Sequence, residues 1–496
     1  MVPRSSELWY LTATEQARLI KGRELSPVDL IKASLERIDR YDPGLKAWIT
    51  VKGEQALQKA REAEAEIASG KYRGLLHGLP YGVKDQMHAL GFPTTLGTRV
   101  LDEHEMAPPC TATVISRLAA AGAVLIGKQN MHEWGKGGAV DFPYGHPRNP
   151  WNPAYDASSS STGSAIATAA GQCSFSLGED TGGSIRNPAS SNGVVGLRPT
   201  YGRVSRHGGV MAAYTTDTIG PLARSVEDIA AIMEIIAGYD PKDPLSSQRP
   251  VPRYTEELGG SLRGMKLAAV REIADGEGVD PEVRRAFDAA LEVLQAQGAA
   301  VEWFSLPWAK WAVPLLLLTA DADVASWFLA NYLRDRYERF GVGVRTRLAA
   351  ATLIPASVYN RAMRARSLVR AQVLDALRSH DALLTPTSVV PPKRIEETQQ
   401  TVERRSDVPR LIQRRIANYL FSVANVPALS VPAGFSKAGL PIALQIAGRP
   451  FGEATVFRIG HAFQRATWWH NRHPDLDQTL AGATRPAETD ALGRRR

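Results

Sequence analysis

The sequence is poor in cysteine and has no long apolar run. Only Cys110 and Cys173 occur among its 496 residues, and they form no CxxC pair. That excludes a disulfide framework and makes a reducing cytoplasm the expected setting. The richest apolar stretch, Trp311 to Ala320, is interrupted by Pro314 and followed by Asp321 and Asp323. It falls short of the roughly 18 residues a membrane span needs, so no membrane partner is expected. Met1 to Ser6 has no apolar h-region, which excludes a signal peptide there. Blocks of one charge sign are also missing: the net charge is +8, but Lys and Arg are interspersed with Asp and Glu. Without a recognition motif this describes a slightly basic surface, and no nucleic-acid partner is expected.

Several hydrolase and nucleotide motifs are absent as well. There is no GxSxG, SxxK or Walker A, and His132-Glu133 lacks the second His of HExxH because Lys136 stands in that place. Gly135, Gly137 and Gly138 do not complete GxGxxG. A zinc or nucleotide role therefore has no support, and neither metal nor organic cofactor is expected.

The composition that remains, 44% apolar and 22% charged, suits a large globular core. Ser26-Pro27-Val28-Asp29 predicts a helix start, with Ser26 as N-cap and Asp29 as the acidic half of a capping box. A charged helix is expected from about Glu54 to Ala68, and another from Pro281 to Gln297 with Val283, Phe287, Leu291 and Leu294 on one face. Ala123 to Ile126 and Met265 to Val270 are short apolar runs near glycines, as buried strands require. Strands alternating with helices predict an α/β fold: a mixed, twisted β-sheet covered by helices on both faces. We expect one unit over residues 1–480, with a catalytic core at about 75–240, a variable wall at about 300–370 and a polar tail over 481–496.

Two shifts in composition locate the chemistry. Ala157 to Gly209 is dense in Ser, Gly and Thr, whereas Trp303 to Phe340 is dense in aromatic residues. The first contains Ser158-Ser159-Ser160-Ser161-Thr162-Gly163-Ser164-Ala165 and Gly178-Glu179-Asp180-Thr181-Gly182-Gly183-Ser184-Ile185-Arg186-Asn187-Pro188, with Gly78-Leu79-Pro80-Tyr81-Gly82-Val83-Lys84-Asp85 upstream. Each alone reads as a loop. Together they resemble the amidase signature family, and the resemblance extends from Leu11-Thr12-Ala13 to Val426-Pro427-Ala428 and Gly439-Leu440-Pro441.

The resemblance implies a Ser–Ser–Lys triad whose two serines lie 24 positions apart, which selects Ser184 as nucleophile and Ser160 as the bridge to the base Lys84. A serine hydroxyl needs a base within hydrogen-bond reach, and lysine serves only when neutral, a form that burial favours. Thr181, Gly182, Gly183 and Ser184 are expected to aim backbone N–H groups at the oxyanion. Asp180 and Arg186 are expected to brace this loop, and Ser161 to bond the lysine amine. The family usually has glycines where Ser158, Ser159 and Thr162 stand here. Trp327 and Tyr332 are expected to line an apolar pocket over Ser184.

The expected activity is that of a free-standing amidohydrolase with small, hydrophobic or aryl amides as substrates, and carbamates or esters besides, acting through an acyl-enzyme. Its oligomeric state is left open. The alternative is the transamidating glutaminase subunit of a tRNA-dependent amidotransferase, which needs partner subunits. A binding protein on an inactive scaffold is a third reading, and the intact Lys84, Ser160 and Ser184 set speaks against it.

Overall fold

The computed structural model describes residues 8–136, 142–398 and 408–481. Met1 to Ser6, Gly137, Gly138 and the tail over 482–496 lie outside the described residues. Eleven strands occur among those described: β1 (Trp48–Val51), β2 (Pro80–Lys84), β3 (Val124–Gln129), β4 (Phe175–Asp180), β5 (Val195–Arg198), β6 (Thr218–Ala223), β7 (Lys266–Val270), β8 (Ala300–Phe304), β9 (Ala382–Pro386), β10 (Ala428–Phe435) and β11 (Pro441–Ala447). They form a single sheet in the order β1-β3-β2-β4-β6-β5-β10-β11-β9-β7-β8. β2 runs parallel to β3 and β4, and β7 runs parallel to β8 and β9. The other pairings are antiparallel, so the sheet is mixed.

Both faces of the sheet are covered, as near-continuous apolar strands require. Leu267 and Ala269 of β7 enter one apolar cluster while Ala268 and Val270 enter another, and Leu384 and Leu383 of β9 divide in the same way. That alternation is the two-residue period of a strand buried on both sides.

The helix starts follow local chemistry. The helix Pro27–Leu45 is capped by the Ser26 hydroxyl, which accepts from the amides of Val28 and Asp29. The acidic half of the expected capping box is not formed: Asp29 is one methylene shorter than the Glu or Gln that usually fills this position, and its carboxylate lies 3.9 Å from Lys32. Asp280 caps the helix Pro281–Ala296, and its Val283, Phe287, Leu291 and Leu294 are buried as their spacing predicts.

One reading of the aromatic region is corrected. Pro314 does not break the apolar run; it is the third residue of the helix Ala312–Phe328, where its missing N–H is not needed. Helical structure continues through a π turn, Leu329–Leu333. The stretch Ala309–Arg339 has the length and composition of a membrane span, yet 50% of its most apolar window is buried inside the protein. It packs on the helices Val342–Thr352, Ala356–Ser379 and Val408–Ala424 as a core helix of a globular fold does.

Candidate active site

β2 and β4 are parallel neighbours, with Val83 beside Leu177, so their C-terminal ends deliver Lys84 and Glu179–Asp180 to the same edge of the fold. Two loops close over that edge. Residues 158–161 lead into the helix Thr162–Ala169, and residues 181–185 lead into the helix Arg186–Asn192. The loops are joined by the Ser161 amide, which donates to the Ser184 carbonyl at 3.1 Å.

Lys84 is wholly buried. Its Nζ lies 2.8 Å from Ser160 Oγ, 2.8 Å from Glu179 Oε2 and 3.4 Å from the Glu179 carbonyl. The blander possibility for Lys84, a surface cation paired with Asp85, is set aside, because Asp85 pairs at 2.8 Å with Lys128 instead. Gly135 flanks the pair: a methyl added to it would stand 3.4 Å from Ser160 Oγ and 3.8 Å from Lys84 Nζ.

The peptide bond between Ser159 and Ser160 is cis, and Ser158 has φ 65°, in the left-handed region that favours glycine. Two of the departures from the family's glycines support each other here. The Thr162 hydroxyl donates to the Ser158 carbonyl at 2.7 Å and holds that residue in place.

Asp180 organises the Gly-rich loop that carries Ser184. Its carboxylate accepts from the amides of Gly183 at 2.7 Å and Ile185 at 3.2 Å, and from Arg186 Nε and Nη2 at 3.0 and 2.9 Å. Arg198 Nη1 stands 3.2 Å away. Burial alone would raise this carboxyl, but Arg186, Arg198 and the Gly183 amide hold it well below the usual carboxylate range. Gly183 itself has φ 108°, and a methyl there would meet Asn418 at 2.7 Å, so this turn is built for glycine.

Two expectations for this loop change. The Gly183 amide is taken up by Asp180, leaving Thr181, Gly182 and Ser184 to line the pocket. The Ser161 hydroxyl does not reach the lysine amine; it donates to the Glu179 carbonyl at 3.1 Å and accepts from the Glu179 amide at 3.2 Å.

The pocket at Ser184 has a volume of about 130 Å³ and is polar. Besides the loop residues, Lys136, Asn187, Arg347, Arg415 and Tyr419 line it, with Leu316, Leu317 and Ala320 from the helix Ala312–Phe328. Arg347 is held by Asp321 through two contacts of 2.7 Å. Among the described residues no carboxylate pairs with Arg415, whose Nη1 donates to the Tyr419 hydroxyl at 3.3 Å.

Trp327 and Tyr332 are not in this pocket. They surround Trp134, at ring distances of 5.6 and 5.5 Å, together with Phe328 at 4.3 Å. Trp327 lies seven residues beyond Ala320, about 10 Å farther along a helix, so it cannot share the pocket wall. The aromatic cluster instead supports the turn Glu133–Gly135, whose last residue is in the pocket.

The polar lining residues carry no local sequence signal. Arg347 and Arg415 sit on charged helices that look like ordinary surface, and only the chain's return over Ser184 brings them together. Glu179 has a usable signal: a charged residue inside a strand buried on both faces must have a partner.

A Lys–Ser contact beneath a serine-bearing Gly-rich turn, on a mixed sheet covered on both faces, defines an α/β enzyme acting on carbon–nitrogen bonds. The chain belongs to the amidase signature family, whose family model, Amidase, matches residues 29–457. It is 39% identical over 489 residues to the A-type subunit of the glutamyl-tRNA(Gln) amidotransferase from Geobacillus kaustophilus, covering 94% of this chain and 99% of that one. The crystal structure of the same kind of subunit from Thermotoga maritima superimposes with a TM-score of 0.76 at 34% identity, covering 92% of this chain and 95% of that one. The native peptide amidase of Stenotrophomonas maltophilia gives a TM-score of 0.81 at 31% identity over 94% and 98% of the two chains.

These relatives correct two expectations. The free-standing hydrolase of hydrophobic or aryl amides, carbamates or esters gives way to the alternative, since nearly full-length relatives at 39% identity are amidotransferase subunits. The expectation of a small-molecule substrate and no nucleic-acid partner falls with it, because those relatives are by name subunits of a glutamyl-tRNA(Gln) amidotransferase.

Proposed function

We propose that the chain is the glutaminase subunit of a tRNA-dependent amidotransferase, hydrolysing the glutamine amide at Ser184 and releasing its nitrogen for transfer to a tRNA-borne acyl group. The single observation that carries this reading is Arg415, a cation without a carboxylate partner among the described residues, at a small polar pocket beside Ser184. A substrate with its own carboxylate supplies what that guanidinium lacks. The amidotransferase relatives support the same assignment.

In this reading Ser184 Oγ attacks the amide carbon as its proton passes to Ser160 and the Ser160 proton passes to Lys84. The amides of Thr181, Gly182 and Ser184 stabilise the oxyanion, and Asp180 with Arg186 fixes the turn that presents them. Collapse returns a proton to the leaving nitrogen, and water then releases glutamate from the acyl-enzyme. Partner subunits and charged tRNA belong to the assembly, and a cytoplasmic setting goes with it.

The test is glutamine-dependent conversion of glutamyl-tRNA(Gln) by the chain assembled with its partner subunits, with ammonia release from the lone chain measured alongside. Glutamine should exceed acetamide and aryl anilides in kcat/KM. An anilide as the best substrate, with no tRNA amidation by the assembly, would overturn the reading.

A further inference from the structure

Glu179 has no part in a Lys–Ser–Ser relay, yet its carboxylate is as close to the lysine as the bridging serine is. Lys84 Nζ is 2.8 Å from Ser160 Oγ on one side and 2.8 Å from Glu179 Oε2 on the other. Both side chains are out of water, with Lys84 0% and Glu179 2% exposed.

The second oxygen of Glu179 is also engaged. Thr181 Oγ1 lies 2.9 Å from Glu179 Oε1 and 2.7 Å from Asp217 Oδ1. A threonine hydroxyl has one proton, so it cannot donate to both acids at once. With both ionised, one carboxylate oxygen would face a lone pair in a dry site. One extra proton removes the conflict: Asp217 donates to Thr181, and Thr181 donates to Glu179. Burial and the neighbouring Glu179 push Asp217 up to about 7, in keeping with that order. Asp217 Oδ2 meanwhile accepts from the Ala213 amide at 2.8 Å. Other charges near the two acids are Lys136, which acts electrostatically on Asp217, Arg206, whose Nη1 donates to the Asp217 carbonyl at 3.5 Å, and Arg198 on β5, which acts on Glu179 and also pairs with Asp180 beside Arg186.

We propose that the base of this enzyme is the Lys84–Glu179 pair holding one proton between them, with Glu179 as the final proton acceptor. A Lys84 ammonium proton first moves to Glu179 Oε2, which frees a lone pair on Nζ. When Ser184 Oγ bonds to the carbonyl carbon, its proton moves to Ser160 Oγ and the Ser160 proton moves to Lys84 Nζ. Collapse runs the chain backwards and delivers one proton to the leaving nitrogen, so the pair again holds one. A lone lysine base would instead require a pair stripped of protons before each turnover. The inference rests on Ser184 as nucleophile and is independent of the substrate assigned above.

The two schemes differ in which proton the acid limb of the rate profile reports. The measurement is the rate at which a fluorophosphonate labels Ser184 in the full chain, followed against pH at several temperatures, with the site mapped by peptide mass. In the shared-proton scheme the limb reports a carboxyl, so its midpoint stays nearly fixed on warming. A midpoint that falls steadily with temperature, as an ammonium group's does, would overturn the inference. Glu179→Gln should slow labelling by about 100-fold near neutrality and move the limb to higher pH. A Gln variant with the parent's rate and limb, or with its limb moved to lower pH, would equally overturn it. If the variant does not fold, the temperature series on the unaltered chain still decides. If the unaltered chain takes no label at Ser184, the nucleophile assignment fails, and the inference fails with it.

Discussion

The loops under the pocket and the helices over it are both dense in unusual residues, but they constrain structure in different ways. In the loops, Gly183 occupies a conformation suited to glycine, Asp180 gathers three amides and two arginines, and the Ser161 amide ties one serine loop to the other. Each residue type there answers a positional demand. In the helices from Ala312 to Thr352, Phe328 is buried while Trp327 and Tyr332 are only partly so, and all three answer no demand but to pack around Trp134. A sequence therefore discloses the first region and conceals the second. Polar and glycine positions encode geometry, while apolar ones encode burial that any neighbour can supply.

The sharpest way to break this contrast is to find the loops tolerant. Ser184→Ala and Lys84→Ala should each lower kcat for ammonia release by about 10⁴-fold or more, with circular dichroism unchanged. Retained activity in either would show that the loops are scaffold and the reaction is elsewhere.

Next in size is the anion beneath the turn. Asp180→Asn leaves Arg186 and Arg198 buried without their carboxylate and should cost about 3 to 5 kcal/mol in urea unfolding. The pH sense follows from its depressed folded value. The contribution of Asp180 is present above the unfolded value of about 4 and is lost as the pH falls toward the folded one. Asp217 has the opposite sense: with its folded value raised to about 7, its contribution is full below the unfolded value and is lost as pH rises through about 7. Asp217→Asn should therefore gain in Tm over the parent as the pH is raised through that window.

The pocket cation comes third and sharpens the contrast from the helical side. Arg415→Ala should raise KM for glutamine by about 10- to 100-fold with a smaller change in kcat, the size of a lost charge-assisted hydrogen bond. Acetamide, which has no carboxylate, should be indifferent. Equal losses for both amides would mean that Arg415 shapes the pocket and does not read the substrate.

The smallest effect belongs to the aromatic cluster. Trp327→Ala should lower stability by about 1 kcal/mol, since the residue is 41% exposed, and leave kcat/KM within about threefold. A tenfold loss would return Trp327 to the pocket.

What is legible in the sequence follows the same division. The mixed sheet, the helix after Ser26 and the Lys84–Ser160 contact are readable because strand period, caps and motif spacing are local signals. The polar pocket is not, because Lys136, Arg347 and Arg415 meet only through tertiary return of separate segments. The aromatic run misleads when density is taken for proximity to Ser184, since helix rise carries Trp327 two turns past the last pocket residue. Spacing gives Asp29 a capping role that its short side chain does not fill.

The pairing of β2 with β4 bears on how this enzyme can be lost. Side chains alternate along a strand, so shifting β2 by one residue turns every side chain to the other face. Lys84 stands at the end of a ladder set by Tyr81 beside Phe175, Gly82 beside Ser176 and Val83 beside Leu177. A single codon inserted between Val83 and Lys84 would leave that ladder paired, retain the whole Lys–Ser–Ser set in the sequence and point the amine away from both Ser160 and Glu179. Such a lesion would be invisible to any inventory of catalytic residues, and would read out only as the failure of a chain that still carries all of them.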